Sequence, residues 1–259
     1  MNTGAITQYV DVAQLTLYAF WIFFFGLVFY LRREDKREGY PLDPDGSRGA
    51  RGTFFPPLPR PKTFLLPQGH SYQAPSPSPA KREIRARPAA PWPGAPLDPT
   101  GDPMVDGVGP ASYAHREDEP DLTFEATNRI VPLRVAKDFY VEPRDPNPLG
   151  MEVFGADGEV AGTVAEIWVD RSEPSIKFLE VDLAPSAGVA RRVLVPMMLA
   201  RIDGQRGQVK VKSILAHQFA KVPAIRSADQ ISKLEEDKIT AYFAGGHLYA
   251  EPSRLNSAL

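Results

Sequence analysis

The sequence predicts one N-terminal transmembrane helix followed by a mainly-β domain with a single C-terminal helix. Three observations lead to this fold class. An uncharged apolar run covers residues 12–31, sixteen prolines lie between residues 41 and 103, and short alternating segments with turn signals begin near residue 133. Prolines at that density exclude helices and central strands from the middle of the chain, so regular structure is expected at its two ends.

The apolar run at residues 12–31 is long enough to cross a bilayer. As a helix it reaches roughly 30 Å, the thickness of the hydrocarbon layer. A cleaved signal peptide is the competing interpretation, but residues 1–11 contain no Lys or Arg, and charges rather than small residues follow the run. Because Arg32, Arg33 and two further basic residues come directly after it, the positive-inside rule predicts a cytoplasmic C-terminal portion.

The composition excludes several classes of function. The run at 12–31 contains no His, Asp, Glu, Lys or Arg, so it offers no axial ligand to a chlorophyll or a haem and no group that carries a proton. The chain has no cysteine, and its four histidines lack metal-site spacing. A net charge of −2 gives no sign of nucleic-acid binding. We therefore predict that the chain is not an enzyme and itself binds no cofactor or metal.

Residues 32–132 are predicted to form an extended proline-rich strap. Apolar or specific pieces interrupt the prolines, among them Phe54-Phe55 and residues 61–67 and 104–111. A free tether would not need such anchors. The pattern therefore favours a strap laid over a partner surface.

Residues 133–249 are predicted to form a small closed antiparallel barrel. Strands are expected at residues 151–154, 160–169, 176–183, 191–198 and 208–214. Asp157-Gly158 marks a hairpin between the first two. Alternation along the third places Leu179, Val181 and Leu183 in the core and leaves Glu180 and Asp182 in water.

One helix is expected at about residues 228–244. Ser227 and Gln230 have the spacing of a capping box, and Gly245-Gly246 is predicted to end the helix. Residues 250–259 are expected to form a loose tail.

Seven segments, in order along nearly the whole chain, resemble the H subunit of purple-bacterial photosynthetic reaction centres, whose cytoplasmic domain is the PRC barrel. These segments are residues 32–42, 61–64, 99–103, 107–112, 167–170, 178–181 and 235–238. None is diagnostic by itself, but their order is.

The resemblance implies a subunit that carries no pigment. In that family it caps the cytoplasmic face of the L and M subunits, stabilises the assembly and the quinone region, and relays protons to the secondary quinone. Bacteriochlorophyll, bacteriopheophytin, quinones and non-haem iron belong to the partner subunits. The implied neighbours are L and M, a light-harvesting antenna, a cytochrome subunit and membrane lipids, with no nucleic acid. The implied location is the bacterial inner (intracytoplasmic photosynthetic) membrane, with residues 1–11 in the periplasm.

The resemblance also implies which residues handle protons. Carboxylates relay protons when burial and nearby negative charge raise their pKa towards neutrality. Glu173 and Asp170 match acidic positions near the secondary quinone, with Lys177 and Arg129 as supporting charges. Where some relatives have an acid and two histidines, this chain has Thr123, Glu125 and Thr127, so the resemblance leaves Glu125 able to collect protons but does not carry over an imidazole relay or metal capture. The alternative interpretation of Asp170 and Glu173 is a solvated hairpin turn.

Another class of protein would share the same architecture. A membrane-tethered PRC-barrel adaptor outside photosynthesis has an anchor and a barrel, but it would not need the specific strap between residues 40 and 112. A membrane-anchored hydrolase would need a nucleophile–base pair, and no histidine lies in a recognisable catalytic motif.

Overall fold

The computed structural model describes residues 6, 11–40, 55–66, 69, 71–75, 83–92, 95–184 and 191–255. The described residues of Met1–Lys81 and Pro91–Ala95 form one compact unit, and those of Arg82–Ala90 and Pro96–Leu259 form another. Most of the predicted N-terminal segment 1–11, the strap residue Phe54 and the last four residues of the predicted tail lie outside the described residues.

The first unit begins with helix α1, Val12–Glu34. The carboxylate of Asp11 caps it by accepting a hydrogen bond from the backbone N–H of Gln14 at 2.7 Å. None of its residues is buried, and the mean hydropathy of its apolar window is 2.0. In the described part of the chain this is the one helix long and apolar enough to cross a membrane, which confirms the predicted apolar helix.

A short antiparallel hairpin completes the first unit. Strand β1 (Lys62–Leu65) pairs with β2 (Ser71–Ala74). Arg37, just past the end of α1, donates two hydrogen bonds of 2.8 Å to the Glu34 carboxylate and one of 2.9 Å to the carbonyl of Ala74. These bonds fix the hairpin to the charged end of the helix.

The second unit is built around a seven-stranded sheet. In chain order its elements are β3 (Ala86–Pro88), β4 (Leu97–Pro99), α2 (Pro103–Asp106), β5 (Ile130–Pro132), β6 (Glu152–Phe154), β7 (Val160–Asp170), β8 (Ser175–Leu183), β9 (Arg192–Pro196), β10 (Ala200–Asp203), β11 (Gln208–Val211), α3 (Lys233–Tyr249) and α4 (Pro252–Leu255). Within the described residues β3 and β4 pair only with each other, and the other seven strands form the sheet. The predicted turn at Asp157-Gly158 joins β6 to β7, and Gly158 has the left-handed φ of +78° that such a turn requires.

The mainly-β domain is confirmed, but a closed barrel is not observed. The sheet order is β10-β11-β6-β7-β8-β9, with β5 beside β7, and within the described residues β9 and β10 do not pair with each other. Pro196 ends β9 without an N–H to extend the ladder, and the turn Met197–Leu199 redirects the chain. The pair β6–β11 is parallel, an arrangement that alternation along one strand does not encode.

The core of the second unit occupies both faces of the long strands β7 and β8, since neighbouring residues such as Ile167 and Trp168 are both buried, and it includes side chains of α3. Its largest fully buried side chains are Trp168, Tyr242, Phe178, Phe219, Phe243, Ile167, Leu179, Leu194, Ile214, Ile239, Val131 and Val153. Leu179, Val181 and Leu183 are buried and Asp182 is exposed, as predicted.

The prediction that Glu180 faces water was wrong. Glu180 is buried, and its carboxylate accepts a hydrogen bond at 2.8 Å from the indole N–H of Trp168 on the neighbouring strand. Arg134 and Arg192 lie within 3.7 and 3.3 Å of the same carboxylate. Alternation predicts which side of the strand Glu180 lies on, but it cannot show that the cross-strand partner Trp168 covers its carboxylate.

The C-terminal helix exists, but its predicted ends were wrong. Helix α3 starts at Lys233, and its capping box joins Ser232 and Glu235, whose backbone and side chains exchange hydrogen bonds of 3.1 and 2.9 Å. Gly245 and Gly246 lie inside the helix instead of ending it.

Close packing explains the two glycines. A Cβ at Gly245 would lie 2.5 Å from the Cβ of Ala111, and one at Gly246 would lie 2.5 Å from the carbonyl oxygen of Ser213. These positions therefore need glycine for close approach, not for a turn.

Part of the predicted strap packs on the chain's own C-terminal domain. Asp102 pairs with Lys221 at 2.8 Å, Pro120 forms a β-bridge with Ser232, and the turn Gly109–Ala111 contacts α3. In the second unit the strap is therefore a cover for α3.

Candidate functional site

The turn between β7 and β8 holds the first of the predicted site residues. Asp170 ends β7, where β5 pairs with it and brings Arg129 alongside. The Arg129 guanidinium donates to both carboxylate oxygens of Asp170, with Nε and Nη2 at 2.8 to 3.0 Å. The backbone N–H groups of Ser172 and Glu173 donate to the same carboxylate at 2.9 and 3.2 Å. Asp170 is 1% exposed, so the structure brings Asp170 and Arg129 together in a buried ion pair.

These contacts decide the charge of Asp170. Burial works to raise its pKa, but the hydrogen bonds from Arg129 and from the backbone of Glu173 and Ser172 outweigh burial and leave the pKa below its ordinary value. A carboxylate held in its ionised form does not exchange protons near neutral pH. This disfavours the relay role that remains a prediction for Asp170, and favours a fixed negative charge.

Glu173 lies in the exposed part of the same turn. Its backbone is tied to Asp170, but among the described residues its carboxylate forms no ion pair. Its carboxylate is therefore accessible to protons from solvent.

Lys177 lies beside Glu236, an acid that the sequence analysis did not assign to proton transfer. Its ammonium lies 3.8 Å from the carboxylate of Glu236, in the first turns of α3. Glu236 is mostly buried, and that burial raises its pKa, although Lys177, Arg116 and Arg129 work in the opposite direction. Since Arg129 acts on both Asp170 and Glu236, the two carboxylates share one electrostatic neighbourhood.

The sequence does not point to Glu236 because it predicts a helix start near residue 228, about five residues before the observed start at Lys233. With a start near residue 228 it would lie in mid-helix, whereas in the structure it follows the true cap Ser232 and faces Lys177. The available signal was the second match to a capping box, Ser232 with Glu235.

Glu125 lies at the tip of a tight hairpin. Leu122 bridges Asn128, and the backbone N–H of Thr123 donates to the carbonyl of Thr127 at 2.8 Å. Glu125 is exposed there. Arg171, in the β7–β8 turn, donates to the hydroxyl of Thr127, so the hairpin with Glu125 is attached to the turn that bears Glu173.

The acids that precede this hairpin are paired with basic side chains. Glu117 pairs with Lys233 at 2.9 Å, and its pKa is lowered by the hydrogen bond from that lysine. Asp118 pairs with Arg226 at 2.5 Å and Asp121 pairs with Arg129 at 3.2 Å. These pairs hold the segment before the hairpin against the domain. Among the described residues no group of three or more His, Asp or Glu could hold a metal ion.

The comparisons with known families cover both parts of the chain. Residues 4–135, half of its length, match the family described as the photosynthetic reaction centre, H-chain N-terminal region. Residues 142–218 match the PRC-barrel domain. The first match argues against a tethered adaptor outside photosynthesis, because it includes the strap. H chains are structural, non-pigmented subunits that associate with the L and M subunits. This chain belongs to the family of photosynthetic reaction-centre H chains.

Proposed function

We propose that this H chain caps the cytoplasmic face of the L and M subunits, stabilises the region of their quinones and relays protons to the secondary quinone. The family match and the apolar helix α1 support a membrane-bound subunit of this complex. Arg32 and Arg33, in the last turn of that helix, support a cytoplasmic position for the C-terminal domain and a periplasmic N-terminus. The antenna, cytochrome and lipid neighbours remain predictions.

The arrangement around the β7–β8 turn carries the proposal for proton transfer. Glu125 and Glu173 are exposed acids on two connected turns and act as collectors. Glu236, mostly buried beside Lys177, has its pKa raised, which is what an internal acceptor needs. The ion pair of Arg129 with Asp170 adds a fixed field that acts on Glu236.

Replacing Glu173 in the assembled reaction centre tests the relay. Reduction of a capped quinone to quinol consumes two protons, so slower delivery slows the second electron transfer. In Glu173→Gln we expect flash-induced second electron transfer and proton uptake to slow about tenfold or more, with the complex assembled normally. Glu159→Gln, an exposed acid in the β6–β7 turn, is the matched control and should be unchanged. Wild-type kinetics in Glu173→Gln and in the double variant with Glu125→Gln would refute the relay.

Purification in mild detergent tests the complex itself. The chain should co-elute with bacteriochlorophyll-bearing subunits, whereas a tethered adaptor would elute without pigment.

A further inference from the structure

The outer end of the sheet, at strands β10 and β11, has a charge opposite in sign to that of the whole chain. Residues 200–222 contain five Lys or Arg against one acid, whereas the chain has a net charge of −2. Like charges gathered on one surface repel one another and attract an ion of the opposite sign. This basic surface is therefore a place to look for an anion site.

The pairing of β10 with β11 places two of these cations side by side. Arg201 is the register partner of Lys210, and such partners lie on the same face of a sheet. Val209 and Val211, on either side of Lys210 in the sequence, are fully buried, so Lys210 lies on the outer face. Like charges directly opposite each other on two strands destabilise the pair. A bound anion would relieve that repulsion.

An open depression of about 340 Å³ lies on this face. Three cations line it, namely Arg206 from the turn between β10 and β11, Lys210 from β11 and Lys212 directly after β11. None of the described residues that line the depression is acidic. We call it the β11 pocket. A cavity of this size holds a small ligand and not a macromolecule.

Few contacts within the chain neutralise these cations. In the described part of the chain, Arg201, Arg206 and Lys212 form no ion pair. Lys210 lies 4.0 Å from the carboxylate of Asp203, at the outer limit of an ion pair. The same carboxylate accepts the backbone N–H of Arg206 at 3.2 Å, which fixes the turn but leaves the guanidinium of Arg206 available.

The acids on the neighbouring strand and turn do not cancel the positive charge. Glu152 on β6 is the register partner of Gln208 and is exposed on the same face. The carboxylate of Asp157 accepts the backbone N–H of Ala216 at 3.2 Å, and Asp157 does not line the pocket. The four cations at positions 201, 206, 210 and 212 therefore stand against Glu152 and Asp203, which leaves a net charge of +2.

We propose that the β11 pocket binds a small phosphate-bearing anion. The planar guanidinium of Arg206 matches two phosphate oxygens at once, and the ammonium groups of Lys210 and Lys212 supply compact positive charge. The phosphate group comes either from a free ion or from the headgroup of an anionic lipid, and the chemistry of recognition is the same. The proposal does not depend on the proton relay, because it uses no residue of the β7–β8 turn.

Titration calorimetry of the purified complex in detergent tests the site, with pyrophosphate as the probe at constant ionic strength. We expect saturable binding that Arg206→Gln and Lys212→Gln each weaken about tenfold or more. Lys212→Arg keeps the charge and should weaken it less. Arg87→Gln is the matched control, because Arg87 is an exposed arginine on β3. No saturable binding by the wild type, or equal affinity of the wild type and the double variant Arg206→Gln/Lys212→Gln, would overturn the proposal.

Thermal melts of the full chain in detergent give a second measurement. Because a ligand that binds only the folded state stabilises it, saturating pyrophosphate should raise the melting temperature of the wild type but not that of the double variant. Without pyrophosphate the double variant should melt no lower than the wild type, since both positions are exposed and the change removes a repulsion. Equal shifts in the two proteins would count against the β11 pocket as the site.

Lipid analysis distinguishes the two sources of phosphate. Complexes of the wild type and of the double variant are purified in mild detergent, and the phosphatidylglycerol that each retains is counted by mass spectrometry. Fewer molecules in the double variant would identify a lipid headgroup as the ligand. Equal numbers, together with the loss of pyrophosphate binding, would identify a free ion. Both results support a phosphate site in the β11 pocket.

Discussion

Replacing Arg129 by methionine removes the partner of a buried charge. Asp170 would keep its two backbone hydrogen bonds but lose the guanidinium that contacts both of its oxygens. Breaking a buried ion pair from one side costs about 3–5 kcal/mol. Because Arg129 is partly exposed and the backbone bonds remain, we expect the lower end, about 3 kcal/mol. For a unit of this size that corresponds to a fall in Tm of roughly 6–12 °C.

The pH dependence of this loss follows from the sign of the pKa shift. In the wild type the folded-state pKa of Asp170 is lowered, so its contribution to stability is present above the ordinary pKa, near 4, and is lost as pH falls through the folded-state value. Without Arg129 we expect burial to outweigh the two remaining backbone hydrogen bonds and to raise that pKa. The contribution is then present below about pH 4 and is lost as pH rises. The deficit of Arg129→Met should therefore be largest at pH 7–8 and shrink towards pH 4.

Thermal melts of the full chain in detergent between pH 4 and pH 8 measure both effects. Arg144→Met is the control, because Arg144 is 90% exposed and its 3.0 Å pair with Glu142 lies on the surface, where such pairs contribute less than about 1 kcal/mol. A deficit below about 1 kcal/mol at pH 7, or one that does not change with pH, would refute the assignment of Asp170 as a buried, permanently ionised group.

Three further substitutions test other contacts. Glu236→Gln should raise the melting temperature of the chain above neutral pH but not near pH 4, because a group with a raised folded-state pKa loses its contribution to stability as pH rises through that pKa. Equal melting temperatures of wild type and variant at both pH values would contradict the raised pKa. Glu180→Ala should lower the free energy of unfolding by about 2–3 kcal/mol, because it leaves the buried N–H of Trp168 without its acceptor; a loss below about 1 kcal/mol in urea titration would count against that bond. Gly245→Ala should destabilise by about 1–3 kcal/mol through overpacking against Ala111, and Ala111→Gly in the same chain should restore part of the loss; no restoration would place the clash elsewhere.

The sequence was a good guide wherever a local pattern decides the structure. The apolar run predicted α1 directly. The segments flanking Asp157-Gly158 predicted β6 and β7, and alternation along residues 176–183 predicted β8, each to within one residue. These elements depend on side chains near in sequence.

The errors occurred where distant residues decide. Ser227-Gln230 and Ser232-Glu235 both have capping-box spacing, and the bridge from Pro120 to Ser232 belongs to the second. In the candidate site, Asp170 was identified, but its low pKa depends on Arg129, forty-one residues away in sequence. A pattern of neighbouring residues cannot predict a contact between side chains so far apart in the sequence.

The short strand β5 has a consequence for how this chain can be divided. Ile130–Pro132 falls inside the matched H-chain region at residues 4–135, yet it pairs with β7 of the matched PRC region. A polypeptide that began at residue 133 would lose that edge strand, the Arg129 partner of Asp170 and the cover on α3. The two matched regions are separate in sequence but share one sheet, and a shortened chain that keeps β5, Arg129 and the cover on α3 has to begin upstream of Asp102.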